Sequence, residues 1–214
     1  MALVVHHLGV SQSERIVWLC EELGIPYELK LYDRDPVTRL APAAYKALHP
    51  MGTAPVITDD GKALAESGAI VEYIIARHGD GRLAVKPDQD GFADYVFWMH
   101  FANGSFVATG MMNLAANALG APADHPGRGF INSRSEKAYA LVEQRLSEAD
   151  YFAGDAFTAA DIMMVFVLTT LRVFSAKDLA GFPNIRAYLQ RIGARPAYRR
   201  AMEKGDPGRP PPLD

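Results

Sequence analysis

The sequence contains a single cysteine, Cys20, among its 214 residues. One thiol cannot form a disulfide within the chain, and it excludes a zinc site built from several cysteines. Residues 1–10 have no basic segment, no long apolar segment and no small-residue cleavage site, so they do not resemble a signal peptide. Both observations favour a reducing compartment, and we expect a cytoplasmic protein.

The sequence also lacks a long hydrophobic run and an excess of charge of either sign. Its most apolar stretch, residues 162–171, is half the roughly 20 residues that a membrane-spanning helix needs, and it predicts a buried core helix instead. The chain has 22 Lys and Arg against 25 Asp and Glu, a formal net charge of −3. Such a balance gives no general attraction to phosphate backbones or anionic lipid. We therefore expect neither nucleic acid nor a membrane as a partner.

The first 80 residues alternate between strand and helix patterns, within a chain that is 49% hydrophobic. Residues 3–6 and 26–32 are apolar runs typical of strands. The segment between them predicts a helix that ends at Gly24, because its apolar residues recur at helical spacing. This order predicts a βαβ unit with two parallel strands. The apolar positions of the helix are Ile16, Leu19, Cys20 and Leu23.

Two further strands and a helix complete this first region. Residues 54–58 and 63–65 are short apolar runs separated by Asp-Asp-Gly, a turn sequence that predicts an antiparallel hairpin. Ser67 is then placed to cap a helix over residues 68–78. We predict an α/β domain over residues 1–79.

The rest of the chain is predominantly helical in pattern. A polar segment with several glycines and prolines, residues 80–88, predicts a linker before an all-helical domain over residues 89–204. Its first element is predicted as one long helix over residues 89–118. Residues 205–214 contain several prolines and no apolar periodicity, and they predict a flexible tail.

The strongest local signal in the helical region is the segment FTAADI, residues 157–162. Thr158 is a suitable N-cap residue, and Asp161 follows three positions later, which is the spacing of a capping box. Phe157 and Ile162 are spaced to pack on each other as a hydrophobic staple. A helix is therefore predicted to begin immediately after Thr158.

Four segments of the chain resemble the glutathione transferases, specifically the bacterial and fungal branch with a serine-type active site. The resemblance implies a thioredoxin-like N-terminal domain, an all-α C-terminal domain and glutathione as cosubstrate. It also implies a homodimer and a role in detoxification. The segments are SQSERIVWLCEELGIPY (residues 11–27), PMGTAPVI (50–57), ESGAI (66–70) and FTAADI (157–162).

Two pairs of residues are candidates for binding glutathione. Glu66 and Ser67 lie where a strand ends and a helix begins, so a hydroxyl and the helix N-terminus are placed to bind a carboxylate, while the glutamate complements an ammonium group. The alternative is a simple cap beside a solvated acid. For Ala54 and Pro55, the resemblance implies a cis peptide bond and pairing of the Ala54 backbone with the cysteinyl residue of glutathione. An ordinary edge-strand proline is the alternative.

The catalytic candidates are Ser11 and Ser13, in the first strand-to-helix turn. In the serine-type members of the family that this sequence resembles, a hydroxyl in this turn donates to the glutathione sulfur. Counting back from Arg15 places Ser11 at that position, whereas a gap-free count from Gly24 places Ser13 there. Ser13 is also a suitable N-cap residue for the first helix. For Arg15 we expect a solvated or ion-paired side chain, and for Cys20 a core position.

The long helix also carries candidates for an electrophile pocket. In the family, this helix lines the pocket for the second substrate, although an aromatic stripe at helical spacing is more often core. The candidates are Tyr95, Trp98, Met99, Phe106 and Met111.

No metal is expected. His6 and His7 point to opposite faces of a strand and cannot jointly bind one ion.

The sequence therefore predicts a transferase that conjugates the glutathione thiolate to a small apolar electrophile. Two alternatives stay open at this point. One is a glutathione-dependent peroxidase or disulfide reductase, which needs the same thiolate. The other is a glutathione-binding scaffold without catalysis, which would need neither the turn serines nor the Glu66 and Ser67 pair.

Overall fold

A computed structural model describes residues 3–175 and 177–214. These residues pack into two compact units. Unit 1 contains the chain up to Ala84 together with Gly193–Pro211, and unit 2 contains Val85–Ile192 and Pro212–Asp214. The chain first passes from one unit to the other within the segment predicted as a linker. The return of residues 193–211 to unit 1 was not expected, and the predicted domain bounds themselves stay a prediction.

Unit 1 is built on a four-stranded mixed sheet. The strands are β1 (Val4–Leu8), β2 (Glu28–Tyr32), β3 (Val56–Asp59) and β4 (Lys62–Ala65), arranged in the order β2-β1-β3-β4. β1 is parallel to β2 and antiparallel to β3, and β3 is antiparallel to β4. The predicted parallel pair and hairpin are confirmed, and together they give the thioredoxin-like arrangement.

Three helices belong to the first part of unit 1: α1 (Glu14–Leu23), α2 (Ala43–Lys46) and α3 (Ser67–Arg77). The apolar side of α1 is buried, as its spacing predicts. α1 ends at Gly24, whose φ of 61° lies in the left-handed region that glycine adopts without strain.

Unit 2 is helical throughout its named elements, but its boundaries differ from the prediction. The single helix expected over residues 89–118 is wrong: the structure has α4 (Phe92–Phe101), a π-helical turn (Ala102–Val107) and α5 (Ala108–Ala118). The turn contains Gly104, a residue that weakens regular helix. The remaining helices are α6 (Pro126–Glu148), α7 (Ala159–Leu168), α8 (Thr170–Ser175) and α9 (Pro183–Ala194).

α6 begins in a stretch of the chain that contains several glycines and prolines. Pro126 occupies the first helical position, where its missing N–H is not needed, and His125 Nδ1 accepts the Gly127 N–H at 3.1 Å. This cap starts the helix even though glycines occupy positions 127 and 129.

The capping box at the start of α7 is confirmed. The Thr158 N–H donates to Asp161 Oδ2 at 2.8 Å, and the reciprocal half of the box is also formed. Asp161 Oδ1 accepts the Phe152 N–H at 3.1 Å and the Tyr188 hydroxyl at 3.0 Å. Burial nevertheless raises the pKa of Asp161 to about 6, against the opposing effect of these hydrogen bonds.

The last helix, α10 (Pro196–Gly205), packs on α1 within unit 1. The rings of Trp18 and Tyr198 meet edge to face with centroids 4.7 Å apart. Beyond the helix, Asp206 Oδ1 accepts the Val10 N–H at 3.0 Å. α10 continues through Gly205, and the Asp206 carboxylate then holds the chain to the first turn, whereas the flexible tail over residues 205–214 stays a prediction.

Across the two described ranges, every helix is too short or too polar to cross a bilayer.

Candidate functional site

The strand register brings three segments of unit 1 to one end of the sheet. Val56 pairs with His6 of β1 and with Ala65 of β4, and both pairings are antiparallel. The residues that precede β3 therefore lie beside those that follow β1 and β4. Ser11 and Ser13, Ala54 and Pro55, and Glu66 and Ser67 all belong to these segments.

The segment before β3 enters the sheet through a cis peptide bond between Ala54 and Pro55. Pro55 is buried and Ala54 is half-buried. Proline has no N–H to donate, so β3 cannot extend its hydrogen bonding through this position. The backbone of Ala54 consequently lies just outside the sheet.

Glu66 and Ser67 form the junction between β4 and α3. Glu66 is exposed and has a φ of 72°, a backbone conformation that a glutamate adopts only with strain. Ser67 is buried and is the first residue of α3, while Glu66 holds the N-cap position. The prediction that Ser67 caps the helix is therefore wrong, and its hydroxyl is directed elsewhere.

The Ser67 hydroxyl joins a buried polar cluster with Arg15 and Gln12. Arg15 Nη1 donates to Ser67 Oγ at 3.2 Å and to Gln12 Oε1 at 2.6 Å. Arg15 is only 1% exposed, so of the two alternatives expected for it, solvated or ion-paired, the solvated one is wrong. Burial lowers the pKa of Arg15 to about 9, against the opposing effect of Glu14, and still leaves the guanidinium charged at neutral pH. A buried positive charge thus lies within hydrogen-bonding distance of the Ser67 hydroxyl.

Ser11 and Ser13 are hydrogen-bonded to each other, with 2.8 Å between their Oγ atoms. Ser11 is half-buried, whereas Ser13 is fully buried and its Oγ accepts the Leu8 N–H at 3.1 Å. Ser13 occupies the N-cap position of α1, but its side chain makes no capping hydrogen bond. Its proposed role as a helix cap is wrong, because its hydroxyl turns back towards β1. Of the two serines, Ser11 is the more accessible, and its hydroxyl donates to the Leu8 carbonyl oxygen at 2.7 Å.

The two histidines of β1 do face opposite sides of the sheet. His6 contacts the Tyr32 hydroxyl at 3.0 Å, whereas His7 contacts Ser13 Oγ at 3.0 Å through Nδ1 and Asp206 Oδ2 at 3.2 Å through Nε2. This link between His7 and the candidate serine turn was not predicted from the sequence. Asp206 follows His7 by 199 positions, so no local pattern could have paired them.

Cys20 is a core residue, as predicted. Its side chain is fully buried in α1. Burial and the negative charge of Glu21 raise the pKa of the Cys20 thiol to about 12. It is therefore protonated at neutral pH and is not a nucleophile.

The proposed electrophile residues lie in unit 2, and most of them are core. Tyr95, Trp98, Met99 and Phe106 are all buried. The Trp98 ring packs against Phe152 with centroids 4.9 Å apart. Met111 is 52% exposed, so it is the member of this set whose side chain solvent reaches most easily. The burial favours the packing alternative for the first four.

No cluster of three or more His, Cys, Asp and Glu side chains within residues 3–175 and 177–214 is arranged to hold a metal ion.

Unit 1 is thioredoxin-like and carries polar residues at one end of its sheet, and unit 2 is helical. This combination is the architecture of the glutathione transferases, and comparison with protein families gives the same class. Residues 11–77 match the model of the glutathione S-transferase N-terminal domain, and residues 132–196 match that of the glutathione S-transferase C-terminal domain. Glutathione S-transferase 3 of Schizosaccharomyces pombe is 35% identical over 94% of this chain and 87% of its own length. The chain belongs to the glutathione S-transferase family.

Solved structures show the same architecture. A glutathione S-transferase from Actinobacillus pleuropneumoniae is 33% identical, with a TM-score of 0.86 over 95% of this chain and 93% of that chain. A glutathione transferase from Burkholderia graminis, solved with two glutathione molecules bound per subunit, is 25% identical, with a TM-score of 0.75 over 97% of this chain and 90% of that chain.

Proposed function

We propose that this protein is a glutathione transferase that binds glutathione at the sheet end of unit 1 and transfers its thiolate to an electrophilic carbon of a small apolar substrate. The observation that carries the proposal is the convergence of Ser11, Ala54 and Ser67 through the pairing of Val56 with both β1 and β4. Family membership supplies the cosubstrate, and these residues supply its contacts.

The γ-glutamyl end of glutathione carries a carboxylate and an ammonium group on one carbon. We place the carboxylate at Ser67, where the N-terminus of α3 and the buried Arg15 both favour negative charge. The exposed Glu66 carboxylate is then the partner of the ammonium group. The strained φ of Glu66 supports this assignment, since strained residues persist where the surrounding structure holds them and are common at binding sites.

The middle of the peptide is assigned to Ala54. An extended cysteinyl residue can pair its backbone with the N–H and C=O of Ala54, because Pro55 prevents β3 from continuing there. This pairing would direct the cysteinyl side chain towards the turn that follows β1, where the serines lie.

Ser11 is the proposed partner of the sulfur. A thiol with a pKa of about 8.5 is only a few per cent ionised at pH 7, and lowering its pKa by about two units corresponds to about 2.7 kcal/mol. One charge-assisted hydrogen bond together with a nearby helix N-terminus is of that size. Ser11 is preferred over Ser13, because the Ser13 hydroxyl is fully buried and already accepts the Leu8 N–H.

The second substrate is proposed to be apolar and to contact unit 2. Met111 on α5 is the most exposed of the candidates, and Tyr95 on α4 carries a phenol beside an otherwise apolar set. A homodimer in the cytoplasm completes the proposal, and light scattering of the purified protein tests the dimer.

The function is tested by two measurements made on the same preparation. Retention on immobilised glutathione with elution by free glutathione reports binding, and turnover of a chloro-nitroarene with glutathione reports conjugation. We expect both. Retention without turnover of several electrophiles supports a scaffold, whereas turnover of hydroperoxides or mixed disulfides alone supports the reductase alternative. Loss of retention itself contradicts the proposal.

A further inference from the structure

A continuous hydrogen-bonded chain leads from a carboxylate to the proposed sulfur partner within unit 1. His7 Nε2 lies 3.2 Å from Asp206 Oδ2, and His7 Nδ1 lies 3.0 Å from Ser13 Oγ. Ser13 Oγ lies 2.8 Å from Ser11 Oγ. The chain therefore links Asp206, His7, Ser13 and Ser11 in that order.

The partners fix the direction of the protons in this chain. An ionised carboxylate only accepts hydrogen bonds, so the Nε2–H of His7 donates to Asp206 and leaves Nδ1 as an acceptor. Ser13 then donates its hydroxyl proton to Nδ1, and its oxygen is free to accept from Ser11 as well as from the Leu8 N–H. The Ser11 hydroxyl donates to the Leu8 carbonyl oxygen at 2.7 Å and also lies 2.8 Å from Ser13 Oγ, so a relay requires Ser11 to turn its proton from Leu8 to Ser13.

The inner residues of this hydrogen-bonded series are buried and closely packed, while Ser11 at its outer end is partly accessible. His7 is 1% exposed and Ser13 is fully buried, whereas Ser11 is half-buried. Gly205 at the end of α10 lies against the imidazole, so that a Cβ at this position would stand 3.1 Å from His7 Cε1. Asp206 is fixed in turn by the Val10 N–H. These contacts hold the ring in one orientation.

We propose that His7, oriented by Asp206, takes up the proton that the glutathione thiol loses, and that this proton travels through Ser11 and Ser13. The thiol gives its proton to Ser11 Oγ as Ser11 passes its own to Ser13 and Ser13 passes its own to His7 Nδ1. The products are a thiolate at Ser11 and an imidazolium paired with the Asp206 carboxylate. After conjugation the imidazolium returns its proton to solvent, which balances the overall release of one proton.

The charges around this pair favour the transfer. A buried imidazolium is costly by itself, and the Asp206 carboxylate offsets that cost. Although its own burial acts in the opposite direction, hydrogen bonds from His7 and from the Val10 N–H, together with the charge of Arg209, lower the pKa of Asp206, so this carboxylate is ionised at neutral pH. The charge of Arg34 also interacts with that of Asp206, and the charged residues Asp33 and Arg39 line the same cavity as the pair. His7 and Asp206 thus act through the serines rather than on the substrate.

The inference rests on the proposed function, and Asp206→Asn is the variant that tests it. The asparagine has nearly the same shape, and its oxygen can still accept the Val10 N–H. Its amide then faces His7 Nε2 as a donor, which forces the imidazole proton onto Nδ1 and blocks uptake from Ser13. His7→Asn is a second variant, since its side chain can accept from Ser13 but cannot take up a proton.

A matched control exists in the same unit. Asp59 and His78 Nε2 form a similar pair at 2.7 Å, and the Asp59 carboxylate is 4% exposed. Asp59 lies at the opposite end of β3 from Val56, where its carboxylate also accepts the Tyr73 hydroxyl at 2.8 Å. We expect Asp59→Asn to change stability without changing the thiol, whereas Asp206→Asn changes the thiol.

Two readouts are taken with glutathione bound: thiolate absorbance in the ultraviolet across pH, and protons released to a pH indicator on mixing. We expect the wild type to release clearly fewer protons than it forms thiolates near pH 7. In Asp206→Asn the pKa of the bound thiol should rise by about one unit, a tenfold smaller thiolate fraction, and released protons should equal thiolates formed. The affinity for S-methylglutathione, which has no thiol, should stay unchanged.

The outcomes separate the two proposals. If the wild type forms thiolate but releases one proton for each, or if Asp206→Asn leaves the thiol pKa unchanged, the proton goes directly to solvent and the relay is refuted while the transferase proposal stands. If the wild type neither binds glutathione nor forms a thiolate, the proposed function itself fails. If Asp59→Asn raised the pKa of the bound thiol by the same amount, the shift in Asp206→Asn would be explained by general destabilisation, and the relay would also be refuted.

Discussion

Replacing Asp161 with asparagine separates two opposing effects on a buried carboxyl group. Hydrogen bonds from Thr158, Phe152 and Tyr188 favour the ionised carboxylate, whereas burial favours the protonated acid. The structure indicates that burial prevails, because the pKa of Asp161 is raised from 3.8 to about 6. Stability must then depend on pH in a direction opposite to that of an ordinary salt-bridged aspartate.

The sign and size of the effect follow from that pKa. Between pH 3.8 and about 6, the folded protein binds the Asp161 proton more tightly than the unfolded chain does. The contribution of this group to stability is therefore complete below pH 3.8 and is lost as the pH rises through about 6. A difference of about two pKa units corresponds to about 3 kcal/mol. Asparagine has no proton to lose, so its variant lacks this dependence.

The assay is urea unfolding of wild type and Asp161→Asn at several values of pH from 4 to 7. Other carboxylates titrate in both proteins, so their effects cancel in the difference between the two free energies of unfolding. The asparagine amide also faces the Thr158 N–H unfavourably, which adds an offset that does not vary with pH. We expect the advantage of the wild type to shrink by about 2 kcal/mol between pH 4 and pH 7, because part of the effect is already lost at pH 4. A constant or growing advantage would mean that the hydrogen bonds outweigh burial.

Three further predictions concern unit 1. Ser67→Ala should weaken glutathione binding by about 1 to 3 kcal/mol in titration calorimetry, because the bound carboxylate loses one hydrogen-bond donor. Equal affinities of wild type and variant would contradict the assignment of the carboxylate to Ser67. Glu66→Gly should raise the free energy of unfolding by about 1 kcal/mol, because glycine adopts the φ of 72° without strain. The same variant should weaken glutathione binding. An unchanged unfolding midpoint would argue against the strain at Glu66. Ser11→Ala should lower kcat/KM by roughly 10- to 100-fold. Ser13→Ala should cost about 1 to 3 kcal/mol of stability by leaving the Leu8 N–H unpaired and, because it interrupts the proposed relay, should also raise the pKa of the bound thiol. An unchanged thiol pKa in Ser13→Ala would contradict the relay.

The parts of the fold that the sequence predicted are those controlled by local pattern. The period of apolar residues in α1 and the Asp-Asp-Gly turn between β3 and β4 are both local, and so is the capping box at Thr158. The interruption of the long helix at residues 102–107 was not predictable in this way, because the residues on both sides continue the helical pattern. The position of α10 on α1 depends on packing between segments far apart in the chain.

The candidate site divides in the same manner. The resemblance identified Ala54, Glu66 and Ser67 as the residues at the end of the sheet, and the register of β3 and β4 brings them together. What the sequence could not supply was the direction of each hydroxyl. Ser13 and Ser67 are both of a residue type that commonly caps helices. Nevertheless, the Ser13 hydroxyl contacts the buried His7, and the Ser67 hydroxyl contacts the buried Arg15.

The buried polar residues of unit 1 therefore have a common location that the fold alone does not require. His7, Ser13, Arg15 and Ser67 are all at most 1% exposed, and all lie at the end of the sheet where β1 ends and α3 begins. Burying such groups costs free energy even when each is hydrogen-bonded, and apolar side chains of similar size would suit a core equally well. The strained backbone of Glu66 adds to that cost at the same place. Instability concentrated at one sheet end is expected where charge and orientation must be prepared for a ligand, so substitutions that stabilise these positions should reduce glutathione binding or turnover.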